Sequence, residues 1–245
     1  MANPILSEKT FKNFEEFDTV YTEPMTLQGT VNKSFITFIL LVSSAAFSWI
    51  YLPAIAGENI FVWLLGAALL GFFTVMATSF KKEWAPYTTP VYAIVEGIFV
   101  GLISKIYEMA YSGIVIQSVM GTFIAFGLML VLYKTGIIKV NQTFKSVVVG
   151  TTLAIASYYL VSFVLSLVFH IQLFHAGNSL LSIGFSAFVI IIATLNFALD
   201  FDAIDNGVQN QAPKYMEWYS ALGLIVTIVW LYLEILRILS KLRSR

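Results

Sequence analysis

Three stretches of this 245-residue chain carry acids where apolar side chains would be expected. Glu234 lies in ALGLIVTIVWLYLEILRILSKL, from Ala221 to Leu242; Glu96 lies in VYAIVEGIFVG; Asp200, Asp202 and Asp205 lie in NFALDFDAIDNG. A charged side chain at the centre of a membrane helix costs about 2.5–3.5 kcal/mol, so an acid persists there only if protonated, paired, or turned towards water or the bundle interior. The chemistry open to such groups is proton exchange and the binding of a hard cation such as Ca²⁺ through carboxylate oxygens. Basic side chains that could modulate them are Arg237, in the same run as Glu234, and Lys81 and Lys82 at the end of the second apolar run.

Helical geometry sorts the acids. At about 100° per residue, Asn196, Asp200 and Ile204 stack on one face, whereas Asp202 points about 200° away from Asp200. The two therefore cannot serve one site from a regular helix. If Asp200 faces the seventh apolar run, two carboxylates brought together there would share a proton, because like charges at short range in a low dielectric cannot both ionise. Such a pair makes a pH sensor and a cation ligand, and a lysine from the end of the second run could bridge to it in one state and release it in another.

Plainer readings stand beside these. Glu234 can pair simply with Arg237, since i and i+3 share one side of a helix. Asp202 and Asp205 read as interfacial, solvated charges at a helix end. Glu96 reads either as a pore residue or as a protonated, hydrogen-bonded interior acid. His170 and His175, in HIQLFHAG, read as exposed loop residues rather than a metal site.

The elements that must position these groups follow from composition. The chain is 58% hydrophobic and only 11% charged, where an ordinary globular domain carries about 25% charged residues; its solvent is a lipid bilayer. Fourteen basic and fourteen acidic residues balance, so nothing suggests nucleic acid. The absence of cysteine removes disulfides, thiol catalysis and Cys-ligated metal centres. No cofactor is implied. GxGD, serine-elbow and HExxH motifs are absent, and the only lysine of the last run is Lys241, at its end, so the chain reads as neither an enzyme nor a retinal protein.

A hydrocarbon core of about 30 Å needs about 20 apolar residues per helix. Seven such runs fall at about 34–54, 60–80, 88–107, 113–134, 147–169, 180–202 and 221–242. The expected organisation is a polar N-terminal tail over 1–33, too polar for a signal peptide, and an all-α seven-helix transmembrane domain over 34–245. Lysines 9, 12, 33, 81, 82, 134, 139, 145 and 214 fall before the first run or in alternate loops, which predicts a cytoplasmic N-terminus. Arg237, Lys241, Arg243 and Arg245 form a basic C-terminal cluster that argues the other way. Small-residue pairs, Gly97 with Gly101 and Ala67 with Gly71, predict close helix contacts.

The C-terminal third, LNFALDFDAIDNGVQNQAPKYMEWYSALGLIVTIVWLYLEILRILSKLRS, together with APYTTPVYAIVEGIFVGLIS, GIVIQSVMGTF and LYKTGIIKVNQTFKSVV, resembles the bacterial, YccA-like branch of the transmembrane Bax-inhibitor motif family. The resemblance implies a bacterial inner-membrane protein with a seven-helix fold whose last helix is central. It implies a pH-sensitive Ca²⁺ leak channel latched by paired acids of helices six and seven, with a basic residue at the end of helix two as modulator. By motif the acids fall on Asp200 and Glu234, which would then also be the Ca²⁺ ligands, and the basic residue on Lys81 or Lys82; Asp202, Glu96 and Arg237 remain further latch or pore candidates. The alternative is a non-conducting regulator that binds other membrane proteins, such as a protease or a stress-response complex. A proton-coupled transporter stays open as a third reading, weakened by the lack of an internal repeat.

Overall fold

The computed structural model describes residues 23–171 and 173–245. Seven long helices account for nearly all of them: α1 Leu27–Ala56, α2 Ile60–Phe80, α3 Ala85–Ala110, α4 Ile114–Lys134, α5 Gln142–Phe169, α6 Leu180–Gln209 and α7 Met216–Arg243. Each is long and apolar enough to cross a membrane. At 1.5 Å per residue, the 28 residues of α7 span about 42 Å, against about 30 Å of hydrocarbon, so the end turns reach the polar headgroups. Polar end turns explain why the apolar runs understate the helices.

The ends have local causes. Thr26, in extended conformation, caps α1 by accepting the Gly29 amide at 2.9 Å, and Asn141 caps α5 by accepting the Phe144 amide at 2.8 Å; both satisfy first-turn amides that have no partner inside the helix. The first helix therefore begins at Leu27, and residues 27–33 of the expected tail belong to it. Residues 1–22 of that tail lie outside the described residues.

The chain divides into two compact units. One comprises Tyr111–Phe201 and Thr227–Arg245, thus α4, α5 and parts of α6 and α7. The described part of the other comprises 23–110 and Asp202–Val226, thus α1, α2, α3 and the α6–α7 turn with its flanking helix ends.

In the second of these units α3 packs against α1 and α2. The small-residue face expected in GIFVG makes the closest approach: a Cβ on Gly97 would collide with the Leu41 carbonyl, and one on Gly101 with the Ala45 carbonyl and the Ser48 hydroxyl, both on α1. In the other unit the core is aromatic and branched. Phe126 of α4 meets Phe197 and Phe201 of α6 edge-on, with ring centroids 5.1 and 5.7 Å apart, while Ile155 of α5 packs with Val189 and Ile192 of α6.

Burial ranks the helices. In its most apolar stretch α7 is 61% buried, against 44% for α3 and 11% for α2 and α5. The charges of α7 are accordingly those that need protein partners.

Candidate functional site in the α6–α7 region

Asp200 is wholly buried on α6. Its Oδ2 accepts a 2.6 Å hydrogen bond from the hydroxyl of Thr227 on α7. One turn earlier on the same face, Asn196 donates to Thr152 of α5 at 2.9 Å and to the Ile192 carbonyl at 2.8 Å. Asp202 follows the expected rotation away from this face: it is partly exposed and accepts a 2.9 Å bond from Asn206 of its own helix. Asp205 is likewise partly exposed.

Glu234 belongs to a different cluster. Its carboxylate, 2% exposed, accepts from Arg237 at 2.9 Å on one oxygen and from the Tyr159 hydroxyl of α5 at 3.2 Å on the other. The Arg237 guanidinium also lies 4.8 Å from the centre of the Tyr159 ring, a cation–π contact that holds the arginine in place. This is the simple i, i+3 pairing, reinforced by an aromatic neighbour.

The structure thus does not bring the two expected acids together. The partner of Asp200 on α7 is Thr227, and Glu234 lies seven residues further along, two helical turns or about 10.5 Å of rise. The expected paired carboxylate is replaced by two separate sites, one carboxylate–hydroxyl and one carboxylate–guanidinium. Among the described residues there is no group of three or more His, Cys, Asp or Glu that could hold a metal ion.

The Glu234 cluster opens on a cleft of about 440 Å³ lined by Ser162, Ser166 and His175 among others. His175 departs from the expectation of a merely exposed loop residue. It is half-buried, shares a 3.0 Å hydrogen bond between its Nδ1 and the Tyr158 hydroxyl, and sits among the rings of Tyr158, Tyr159, Phe174 and Phe185. Burial, then the charges of Arg237 and Lys241, push its pKa below the ordinary histidine value. Its companion His170 ends α5 in the left-handed conformation and is exposed.

The remaining candidates lie elsewhere in the chain. Lys81 sits over the ring of Trp84 at 4.8 Å and Lys82 over Tyr219 at 6.0 Å, both within their own unit. Glu96, near the middle of α3, has no hydrogen bond or ion pair among the described residues, so the expected hydrogen-bonded interior acid is not found; its carboxylate covers Gly71 of α2. At Gly71 the close contact is thus a side chain lying on the glycine rather than backbone on backbone.

Sequence reasoning missed Thr227, Tyr159 and Glu217. A threonine in a membrane helix ordinarily turns its hydroxyl back to the carbonyl four residues earlier, as Thr37, Thr78 and Thr122 do here, so nothing marked Thr227 as a partner. Glu217 reads as a solvated acid at a helix start; it is 1% exposed, bonded to the amide and hydroxyl of Thr26 at 3.0 and 2.9 Å and to Lys33 at 2.6 Å.

Residues 3–244 match the family model described as Bax inhibitor 1 like. The chain belongs to that family, as the C-terminal motifs led one to expect, and is an integral membrane protein by its seven spans. No curated protein matches the chain, and no solved structure does.

Proposed function

With family membership as the premise, we propose that the chain is a proton-responsive cation leak, Ca²⁺ being the ion to test, whose sensor is the Asp200–Thr227 contact. The observation that carries this reading is a wholly buried carboxylate on α6 held by a hydroxyl on α7 at 2.6 Å. An ionised carboxylate accepts from Thr227, whereas a protonated one brings a hydrogen that must find its own acceptor. Gain of a proton therefore changes the bonding between the two helices, and the two states differ by a local rearrangement of α6 against α7. Glu234 in this account is not the sensor's second half; its cleft, with serine hydroxyls on the wall, is a mouth through which a cation enters.

Orientation belongs to the same proposal. The lysines before α1 and in alternate loops put the N-terminal side in the cytoplasm. Seven crossings then leave the basic end of α7 on the opposite face. Its cations are engaged within the protein: Lys241 donates to Ser186 at 2.7 Å and Arg243 to the Ser112 carbonyl at 2.6 Å. Charges so satisfied weigh less in favour of the cytoplasm than free ones.

The test is Ca²⁺ flux into proteoliposomes from about pH 5 to about pH 8, the range of physiological switches, with Asp200→Asn and Thr227→Val beside the parent chain. A pH-dependent flux whose response is shifted or lost in both variants supports the proposal. An unchanged response in both rejects the sensor. Folded protein with no flux above empty vesicles rejects the leak and favours a regulator that binds other membrane proteins.

A further inference from the structure

Glu96 is the acid that the α6–α7 chemistry leaves unused. It lies near the middle of α3, one turn after Tyr92 on the same face, and is partly exposed. Its carboxylate rests on the α2 backbone at Gly71: a Cβ added there would come within 2.7 Å of Oε2, so glycine is what makes room for it. Among the described residues the groups around it offer no hydrogen bond and no counter-ion, and Tyr92 is the one titratable side chain that faces it; α2 contributes none at this level.

Every other acid discussed above for the membrane-spanning helices has a partner: Asp200 has Thr227, Glu234 has Arg237 and Tyr159, Glu217 has Lys33 and Thr26. A carboxylate without one, at bilayer depth, is disfavoured, and the form that suits this place is the neutral carboxylic acid. The glycine opposite keeps the group at the α2–α3 seam without burying it completely.

From this geometry we propose that Glu96 is a proton-binding site of the bilayer interior, reached from the lipid phase along the α2–α3 seam and open to modification by hydrophobic carbodiimides. The reaction balances without a co-reactant. The carboxyl oxygen bonds to the central carbon of the N=C=N group while the carboxyl proton passes to one nitrogen; the acyl group then moves from oxygen to nitrogen, leaving an N-acylurea with no atom lost. The proposal is independent of whether the protein conducts ions.

The experiment treats the full chain, in detergent micelles or liposomes, with dicyclohexylcarbodiimide and in parallel with a water-soluble carbodiimide, and maps adducts by tandem mass spectrometry. The expected result is one adduct at Glu96 from the hydrophobic reagent, none there from the soluble one, and unchanged labelling in Asp200→Asn and Glu234→Gln. Glu96→Gln should abolish the adduct while retaining the elution profile and helical circular dichroism of the parent. Gly71→Ala keeps the carboxyl but fills the space beneath it, and should change the labelling rate several-fold. No adduct at Glu96 in the folded parent chain overturns the proposal, and so does equal labelling by the soluble reagent, which would put the carboxyl in an aqueous path.

Discussion

Lys33, two turns into α1, reaches the carboxylate of Glu217 at the start of α7 across 2.6 Å. The contact is part of a strap that ties the N-terminal end of α1 to the α6–α7 turn. Thr26 gives Glu217 both its amide and its hydroxyl, the Met25 amide donates to the Ala212 carbonyl at 2.7 Å, and Pro24 bridges to Pro213. Gly29 has no side chain because the Glu217 carboxylate fills that space.

Lys33→Met should therefore destabilise the protein strongly, because it strands a carboxylate that is 1% exposed. Removing one partner of a buried ion pair costs about 3–5 kcal/mol; with Lys33 itself 21% exposed, the lower end applies. Glu217→Gln retains an oxygen that can accept from Thr26 and should cost less than Lys33→Met. Unfolding midpoints in detergent decide it, and equal, small effects would show that the strap carries little stability.

A second ion pair in the strap, Lys214 with Glu23, is exposed and behaves differently. The hydrogen bond and charge of Lys214 hold Glu23 below the usual carboxylate range, and Glu23 in turn raises Lys214. For Glu23 the contribution is complete above the ordinary carboxylate pKa of about 4.3 and fades as pH falls through its lower folded value; for Lys214 it is complete below about 10.4 and fades as pH rises through its higher one. The pair should act only between these limits, weakly, and less in high salt. Lys214→Ala should leave the midpoint at neutral pH nearly unchanged, with any difference erased by salt; a large, salt-independent loss would contradict the exposed geometry.

His175 shares the sign of Glu23 and opposes that of Lys214. Burial first, then Arg237 and Lys241, lower its pKa, so the folded state favours the neutral ring. Stability should hold above the unfolded histidine value of about 6.5 and decline as pH falls through the lower folded value. In His175→Gln that component of the acid-side decline should be absent while the neutral-pH midpoint changes little. Proton titration of the ring by NMR provides the direct check, with a midpoint at or above about 6.5 as the contrary result.

How much of this was legible in the chain differs by level. Seven helices follow from apolar runs that could bury themselves only in lipid, and the opposite facing of Asp200 and Asp202 follows from 100° per residue. The ends of α1 and α7 did not, because Thr26, Lys33 and Glu217, at or near their starts, look solvated until folding sets them against one another. Partnerships between helices were the least legible. Periodicity states which face is buried but not which helix covers it, so Thr227 and Tyr159 read as ordinary residues, and the family motif sets Asp200 against Glu234, two turns along α7 from the hydroxyl that bonds it.

The Glu234 cluster offers a test of that last point. Arg237→Gln leaves a buried carboxylate with the Tyr159 hydroxyl, and should cost about 1–3 kcal/mol, the penalty of an unsatisfied buried group, moderated by the one-third exposure of Arg237. Tyr159→Phe keeps the ring beneath the guanidinium and loses only a 3.2 Å bond, so about 0.5–1.5 kcal/mol is expected. Glu234→Gln combined with Arg237→Gln removes both charges and should be less damaging than the sum of the single changes, by more than about 0.5 kcal/mol. If the double-mutant cycle is additive within that margin, Glu234 and Arg237 do not stabilise one another. The short distance between them would then be a neighbourhood imposed by the helix rather than an interaction.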